Sequence, residues 1–240
     1  MVRIRHCMAD NGIMKYLANN QLFTKGDFWF FMISNLVFSV LSTIAAKWHM
    51  GYAMAYFIIG ASLISYFIYV HFFGNSLLRK LFYFGITVGF VELFNDTWLI
   101  AVKKVLIYYP GGPFIIDTPL YMPFCWASIL ITFGYLAGYL NTKTSLSKTT
   151  LLLSISAAFY IPFFEKIADE ALWWHYIDSP SIHGVPWFVI IGEFLLAIPI
   201  PFIIQKLENA NSYWIFVLGT IEGFIVWLAT WLAMVVMNLI

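Results

Sequence analysis

The stretch Val91-Glu92-Leu93-Phe94-Asn95-Asp96-Thr97-Trp98-Leu99-Ile100 combines residues able to move protons with surroundings that deprive them of water. On a helix, Glu92 and Asp96 stand four residues apart with Asn95 on the same stripe, so the three side chains point one way. Two carboxyls one turn apart in an apolar run cannot both be ionised cheaply, and the pair is expected to share a proton. The protonated member can donate, the ionised one can accept or hold a cation, and Asn95 can orient both. A carboxylate turned towards hydrocarbon costs several kcal/mol, which makes this face the expected inner wall of a bundle.

Composition fixes what kind of bundle. The 240 residues are 62% hydrophobic, 20% aromatic and 10% charged, far below the roughly 25% charge of soluble domains, so an integral membrane protein is expected. A net charge of +1 leaves no basic stripe for nucleic acid. Cys7 and Cys125 give neither a disulfide framework nor a metal motif.

The apolar periodicity predicts an all-α fold of seven transmembrane helices. They run from about Phe28 to Trp48, Tyr52 to Phe73, Lys80 to Ile107, Thr118 to Leu140, Thr149 to Trp174, Val185 to Ile204 and Ser212 to Ile240. Pro119 is expected at a first helical position, Pro162 as a kink, and Pro199 and Pro201 as soft points. Residues 1–27 read as a retained tail, with a short interfacial helix over Ile13 to Leu17, and 28–240 as one domain. The tail and the loops after the even helices hold Arg3, Arg5, Lys15, Lys25, Arg79, Lys80, Lys143, Lys148 and Lys206. The other side holds Lys47, Lys103 and Lys104, with Lys166 within the fifth helix. That bias predicts a cytoplasmic N-terminus and an outer C-terminus, in a plasma, inner or endomembrane.

The acids are unevenly placed in depth. At roughly 1.5 Å per residue, Glu92, Glu193 and Glu222 fall mid-membrane. Asp96, Glu165, Asp169 and Glu170 lie nearer the outer ends, and Asp117 sits at an outer helix start. Asp96, Glu165 and Asp169 are expected to converge on one cavity in the outer half. Trp98 and Trp126 are deep enough to line it, and Tyr121 is a further aromatic on an acid-bearing helix. Trp173, Trp174 and Trp187 read as an interfacial belt. Lys166 and Glu170 are spaced to pair with each other, and Glu193 and Glu222 could serve as polar glue between helices.

Three chemistries suit such residues. A buried carboxylic acid can protonate an alkene or epoxide, aromatic faces can steady the cation, and a second carboxylate or water can end the reaction. Metal binding finds no HExxH or paired HxH spacing, and the acidic motif begun by Asn95-Asp96 has Leu99 where a diphosphate-binding helix needs Asp. A proton or cation relay in a carrier would use the same acids and the proline-broken helices. A retinal protein is disfavoured, because the last helix contains no lysine for a Schiff base.

In helix number and residue style the chain resembles the membrane-bound terpene cyclases of meroterpenoid pathways and the carotenoid hydratases and cyclases. Pro162-Phe163-Phe164-Glu165 is similar to the Pro-x-Glu-acid signature of heterodimeric lycopene cyclases, with one residue more, and Glu92 to Trp98 is similar to the acid-plus-Trp helices of the terpene cyclases. The resemblance implies a cofactor-free, acid-initiated cyclisation or hydration of an isoprenoid-like lipid. Asp96 or Glu92 would be the proton donor and Asp169 or Glu165 the base. Asn95, Trp98, Asp117, Tyr121, Trp126, Glu170, Glu193 and Glu222 would contact substrate, with no metal. The alternative is a proton-coupled carrier or a structural subunit of a membrane complex. A homo- or hetero-oligomer is compatible with either.

Overall fold

The computed structural model describes residues 23–239. The expected interfacial helix over Ile13 to Leu17, with Arg3, Arg5, Lys15 and Cys7, lies outside them. Eight α-helices carry the described residues: α1 (Lys25–Lys47), α2 (Gly51–Phe72), α3 (Ser76–Thr97), α4 (Met122–Asn141), α5 (Leu146–Glu170), α6 (Trp187–Leu196), α7 (Ile200–Leu207) and α8 (Ser212–Val236). Among the described residues six spans are long and apolar enough to cross a membrane, α6 and α7 together forming one of them, consistent with a membrane protein. Large apolar side chains such as Leu36, Phe57, Phe72, Phe159 and Phe216 are more than half exposed, a surface suited to hydrocarbon rather than water.

The first helix starts earlier than its sequence suggests. Thr24 caps α1 by accepting from Asp27 N at 3.1 Å, while the Asp27 carboxylate accepts from Thr24 N at 2.8 Å. Tyr69 also donates to that carboxylate, at 2.8 Å. This reciprocal cap draws Lys25 to Asp27 out of the expected tail and buries Asp27.

Helix α3 is the centre of the bundle. On one side a methyl group added to Gly85 or Gly89 would overlap the Ala127 or Pro123 carbonyl of α4. On the other, Gly219 and Gly223 of α8 rest on Thr87 and Val91. Each pair is spaced i, i+4, and the missing side chains let backbones close in from both sides.

Helix α3 does not continue to Ile107. After Thr97 a π-helical turn (Trp98–Lys103) widens the coil, Lys104 adopts a left-handed conformation, and the chain leaves as strand β1 (Leu106–Tyr108). Helix α5 likewise stops at Glu170, short of Trp174, and Trp174–Tyr176 forms β4. These strands pair antiparallel, Leu106 opposite Tyr176 and Tyr108 opposite Trp174. Two further hairpins, β2 (Phe114–Ile115) with β3 (Thr118–Pro119) and β5 (Ser181–Ile182) with β6 (Val185–Pro186), occupy residues expected to begin the fourth and sixth helices. Pro119 is thus a strand residue, and Pro123 stands in the first turn of α4. His183 and Gly184, both at positive φ, make the two-residue turn between β5 and β6. Pro162 lies inside an unbroken α5, whereas α6 ends at Leu196 and α7 restarts at Ile200.

The strands and the α1–α2 turn share one end of the bundle. There Gly51 N donates to Ala171 O at 2.9 Å, Trp173 Nε1 to Gly51 O at 2.9 Å and Tyr109 N to Trp173 O at 3.1 Å. Lys103 Nζ reaches Leu239 O at 3.1 Å, which brings the end of the described chain there too. At the opposite end Lys80 Nζ donates to Glu208 O at 2.6 Å and Asn141 Nδ2 to Pro201 O at 3.1 Å.

Candidate functional site

Glu92, Asn95 and Asp96 face inward together, at 0%, 4% and 4% exposure. Asn95 Nδ2 donates to Glu92 Oε1 at 3.2 Å, and Glu92 Oε2 has no hydrogen-bond partner among the described residues. Strand β1 returns to this face, where Tyr108 donates its hydroxyl to Asp96 Oδ2 at 2.5 Å. With Glu193 and Gly192 of α6, Thr230 of α8, Tyr176 of β4, and Trp126, Glu165 and Trp174, these side chains line a cavity of about 30 Å³. That is room for about two water molecules. Among the described residues, no lysine, arginine or histidine lines it. Asn95 Oδ1 and Glu193 Oε2 have no hydrogen-bond partner among the described residues.

The two tyrosines come from the strands rather than the helices. Burial, and after it the Asp96 charge, pushes the Tyr108 hydroxyl well above the ordinary tyrosine range. Burial, then the Glu165 charge, does the same to Tyr176. Both therefore remain neutral donors.

A second cavity, about 50 Å³ and mostly apolar, adjoins the first between α1, α2, α4 and α5. Phe38, Ile129, Tyr160 and Phe164 in its wall are only half-buried, so it is a cleft open to the apolar outer face. The two cavities share four residues: Met122, Trp126, Glu165 and Trp174. Trp174 Nε1 donates to Glu165 Oε2 at 2.6 Å. Glu165 is therefore a carboxyl at the junction of an apolar space and a carboxyl-lined one.

The residues expected at the site divide accordingly. Asn95, Asp96, Trp126, Glu165 and Glu193 line the polar cavity, with Glu92 buried directly behind. Asp169 does not join them. It lies one turn beyond Glu165, with Oδ2 turned towards Gly184, and lines neither cavity. Glu170 pairs with Lys166 at 2.9 Å on an exposed face. Asp117 is exposed beside Lys104 and Ile116. Trp98 faces Trp227 of α8, with Lys103 over its ring. Tyr121 is buried between Tyr56 and Trp174, outside both cavities. Glu222 is fully buried with both carboxyl oxygens unpartnered among the described residues, again outside both cavities. Among the described residues, no group of three or more His, Cys, Asp or Glu side chains is arranged to hold a metal ion.

Sequence reasoning missed Tyr108, Tyr176, Thr230 and Gly192, and assigned Trp174 to an interfacial belt although it is buried at the site. The signal for the strands was present: Val105 to Tyr109 and Trp174 to Ile177 are runs of β-branched and aromatic residues beside turn formers.

A family model described as Domain of unknown function (DUF6989) matches residues 93–237, more than half of the chain. The match takes in Asn95, Asp96, Glu165, Glu193 and both site strands. No curated protein and no solved structure matches the chain.

Proposed function

The chain belongs to the DUF6989 family, and for this member we propose an integral membrane enzyme that carries out acid-initiated cyclisation or hydration of an isoprenoid-like lipid. The observation that carries the proposal is the junction at Glu165, where a cleft open to the apolar surface meets a polar, carboxyl-lined cavity across two tryptophans. An alkene or epoxide entering the cleft receives a proton from the Asp96–Glu92 pair. The faces of Trp126 and Trp174 steady the resulting cation. The cation then loses a proton from a neighbouring carbon to Glu165 after ring closure, or takes up water whose proton passes to Glu165, and the donor is reprotonated from the polar cavity. Asp169, outside both cavities, is given no part.

The same proposal has seven spans, α3 being the seventh. Among the described residues it is the one long helix outside the six spans apolar enough to cross by composition, and it is shielded by α4 and α8, which suits it to a bundle centre in lipid. Lys25, Arg79, Lys80, Lys143, Lys148 and Lys206 lie towards the end opposite the strands, so that end faces the cytoplasm and the site opens in the outer half.

The test is proton uptake. Purified protein in D2O is given geranylgeraniol and its terminal epoxide, and products are read by mass spectrometry. A product of hydration or cyclisation that carries solvent deuterium, and disappears with Asp96→Asn, is expected. Turnover unchanged in Asp96→Asn would overturn the proposal. A proton-coupled carrier is the second reading, favoured by one observation: Glu222, buried and unpartnered away from the site. Carrier coupling would be lost in Glu222→Gln, whereas the enzyme would keep its turnover.

A further inference from the structure

One cluster of polar side chains takes no part in this chemistry. In the wall of the apolar cleft, away from Glu165, Asn35 of α1, Tyr66 of α2, Thr132 of α4 and Tyr160 of α5 meet. Tyr160 donates to Asn35 Oδ1 at 3.0 Å, and Asn35 Nδ2 donates to Phe31 O at 2.8 Å and towards Tyr66 at 3.3 Å. Thr132 donates to Ser128 O at 2.9 Å, which leaves Tyr66 as donor in its 3.0 Å bond to Thr132.

Nearly every proton in this cluster is committed inside the protein. What it offers the cleft is lone pairs, chiefly on the Tyr160 oxygen, while Ser62 adds a hydroxyl that can donate or accept. Among the described residues, no lysine or arginine lines the cleft. A phosphate or diphosphate would be buried there without a counter-charge, which is costly. An ether or ester offers only acceptors, and the cluster has few protons left for them. A neutral alcohol can donate to Tyr160 and accept from Ser62.

We infer that the apolar cleft binds a long apolar alcohol, its hydroxyl seated at the Asn35–Tyr66–Thr132–Tyr160 cluster and its hydrocarbon running past Trp126 to Glu165. Tyr160 and Glu165 are five residues apart on α5, a rise of roughly 7.5 Å. The reacting carbons thus lie a similar distance from the hydroxyl. The remaining chain leaves through the half-exposed side of the cleft, so the substrate can be longer than the enclosed space. This inference rests on the proposed lipid substrate and deepens it to a free alcohol rather than an activated diphosphate.

The experiment uses the full chain in nanodiscs and reads tryptophan quenching, since Trp126, Trp173 and Trp174 line the cleft. Geranylgeraniol, its methyl ether and its diphosphate are titrated in parallel. The alcohol is expected to bind about fivefold tighter than the ether, the value of one net hydrogen bond, with the diphosphate weakest. Tyr160→Phe keeps the ring packed on Phe164 and Phe133 and should bring alcohol and ether within twofold of each other. Equal affinity of the wild-type protein for alcohol and ether, preference for the diphosphate, or no quenching by any of the three overturns the inference. The wild-type comparison decides even if the variant does not fold. Equal alcohol and ether affinity leaves the acid chemistry standing. Alcohol preference without deuterium uptake overturns the chemistry and leaves the binding site.

Discussion

Trp174 and Glu165 sit nine residues apart in sequence and are joined by an indole N–H to carboxylate hydrogen bond of 2.6 Å, which fixes the one carboxyl common to both cavities. The bond exists because α5 stops at Glu170 and the chain folds back as β4. Trp174→Phe keeps the aromatic wall and removes the donor. A hydrogen bond to a charged group is worth about 1.5–3 kcal/mol, so turnover in the deuterium assay should fall by about tenfold or more while the bundle stays folded. Glu165→Gln should lose turnover entirely. Full activity in either variant would remove Glu165 from the site.

Glu92 and Asp96 should act as a unit. Asp96→Asn and Glu92→Gln are each expected to cut turnover by about 100-fold or more, the usual share of a general acid. The double variant should be little worse than either single. Additive losses would mean two independent carboxyls.

Two glycines near the site should behave in opposite ways. Gly89→Ala pushes a methyl group into the Pro123 carbonyl, a backbone atom that cannot swing aside. Its cost should be about 1–3 kcal/mol, visible as a lower melting temperature. Gly192→Ala meets nothing nearer than Thr230 Cα at 3.6 Å. It should leave stability unchanged and slow turnover by narrowing the polar cavity. Equal melting temperatures for the two would refute the close α3–α4 packing.

The strand tyrosines predict an alkaline response. Tyr108 is raised above its ordinary value near 10 by burial and by Asp96. Above that value the unfolded chain loses the proton while the folded chain keeps it, so stability is full below pH 10 and falls as pH rises further. Absorbance titration should show Tyr108 and Tyr176 ionising only as the protein unfolds. In Tyr108→Phe the alkaline loss of stability should be smaller. An unchanged loss would mean that Tyr108 is not enclosed.

Topology can be read with reporters. Lys143 follows α4 and His183 lies in the β5–β6 turn, at opposite ends of the bundle. Fusions at the two positions should report opposite compartments, with Lys143 cytoplasmic. One shared compartment would exclude seven spans.

The sequence alone determined whatever depends on neighbours along the chain. Apolar runs marked the long helices, and the spacing of Glu92, Asn95 and Asp96 put them on one helical face because the α-helix repeats every 3.6 residues. It could not choose between Glu165 and Asp169, which share a face one turn apart. That choice followed from where β4 returned and which side chain met Trp174. Nor could it locate Tyr108 and Tyr176 or end α3 and α5 correctly, because aromatic and β-branched residues at a helix end continue an apolar pattern in either conformation. Only pairing between β1 and β4, some seventy residues apart, gives those backbones their hydrogen bonds as strands. The junction of the two cavities belongs to that same long-range pairing.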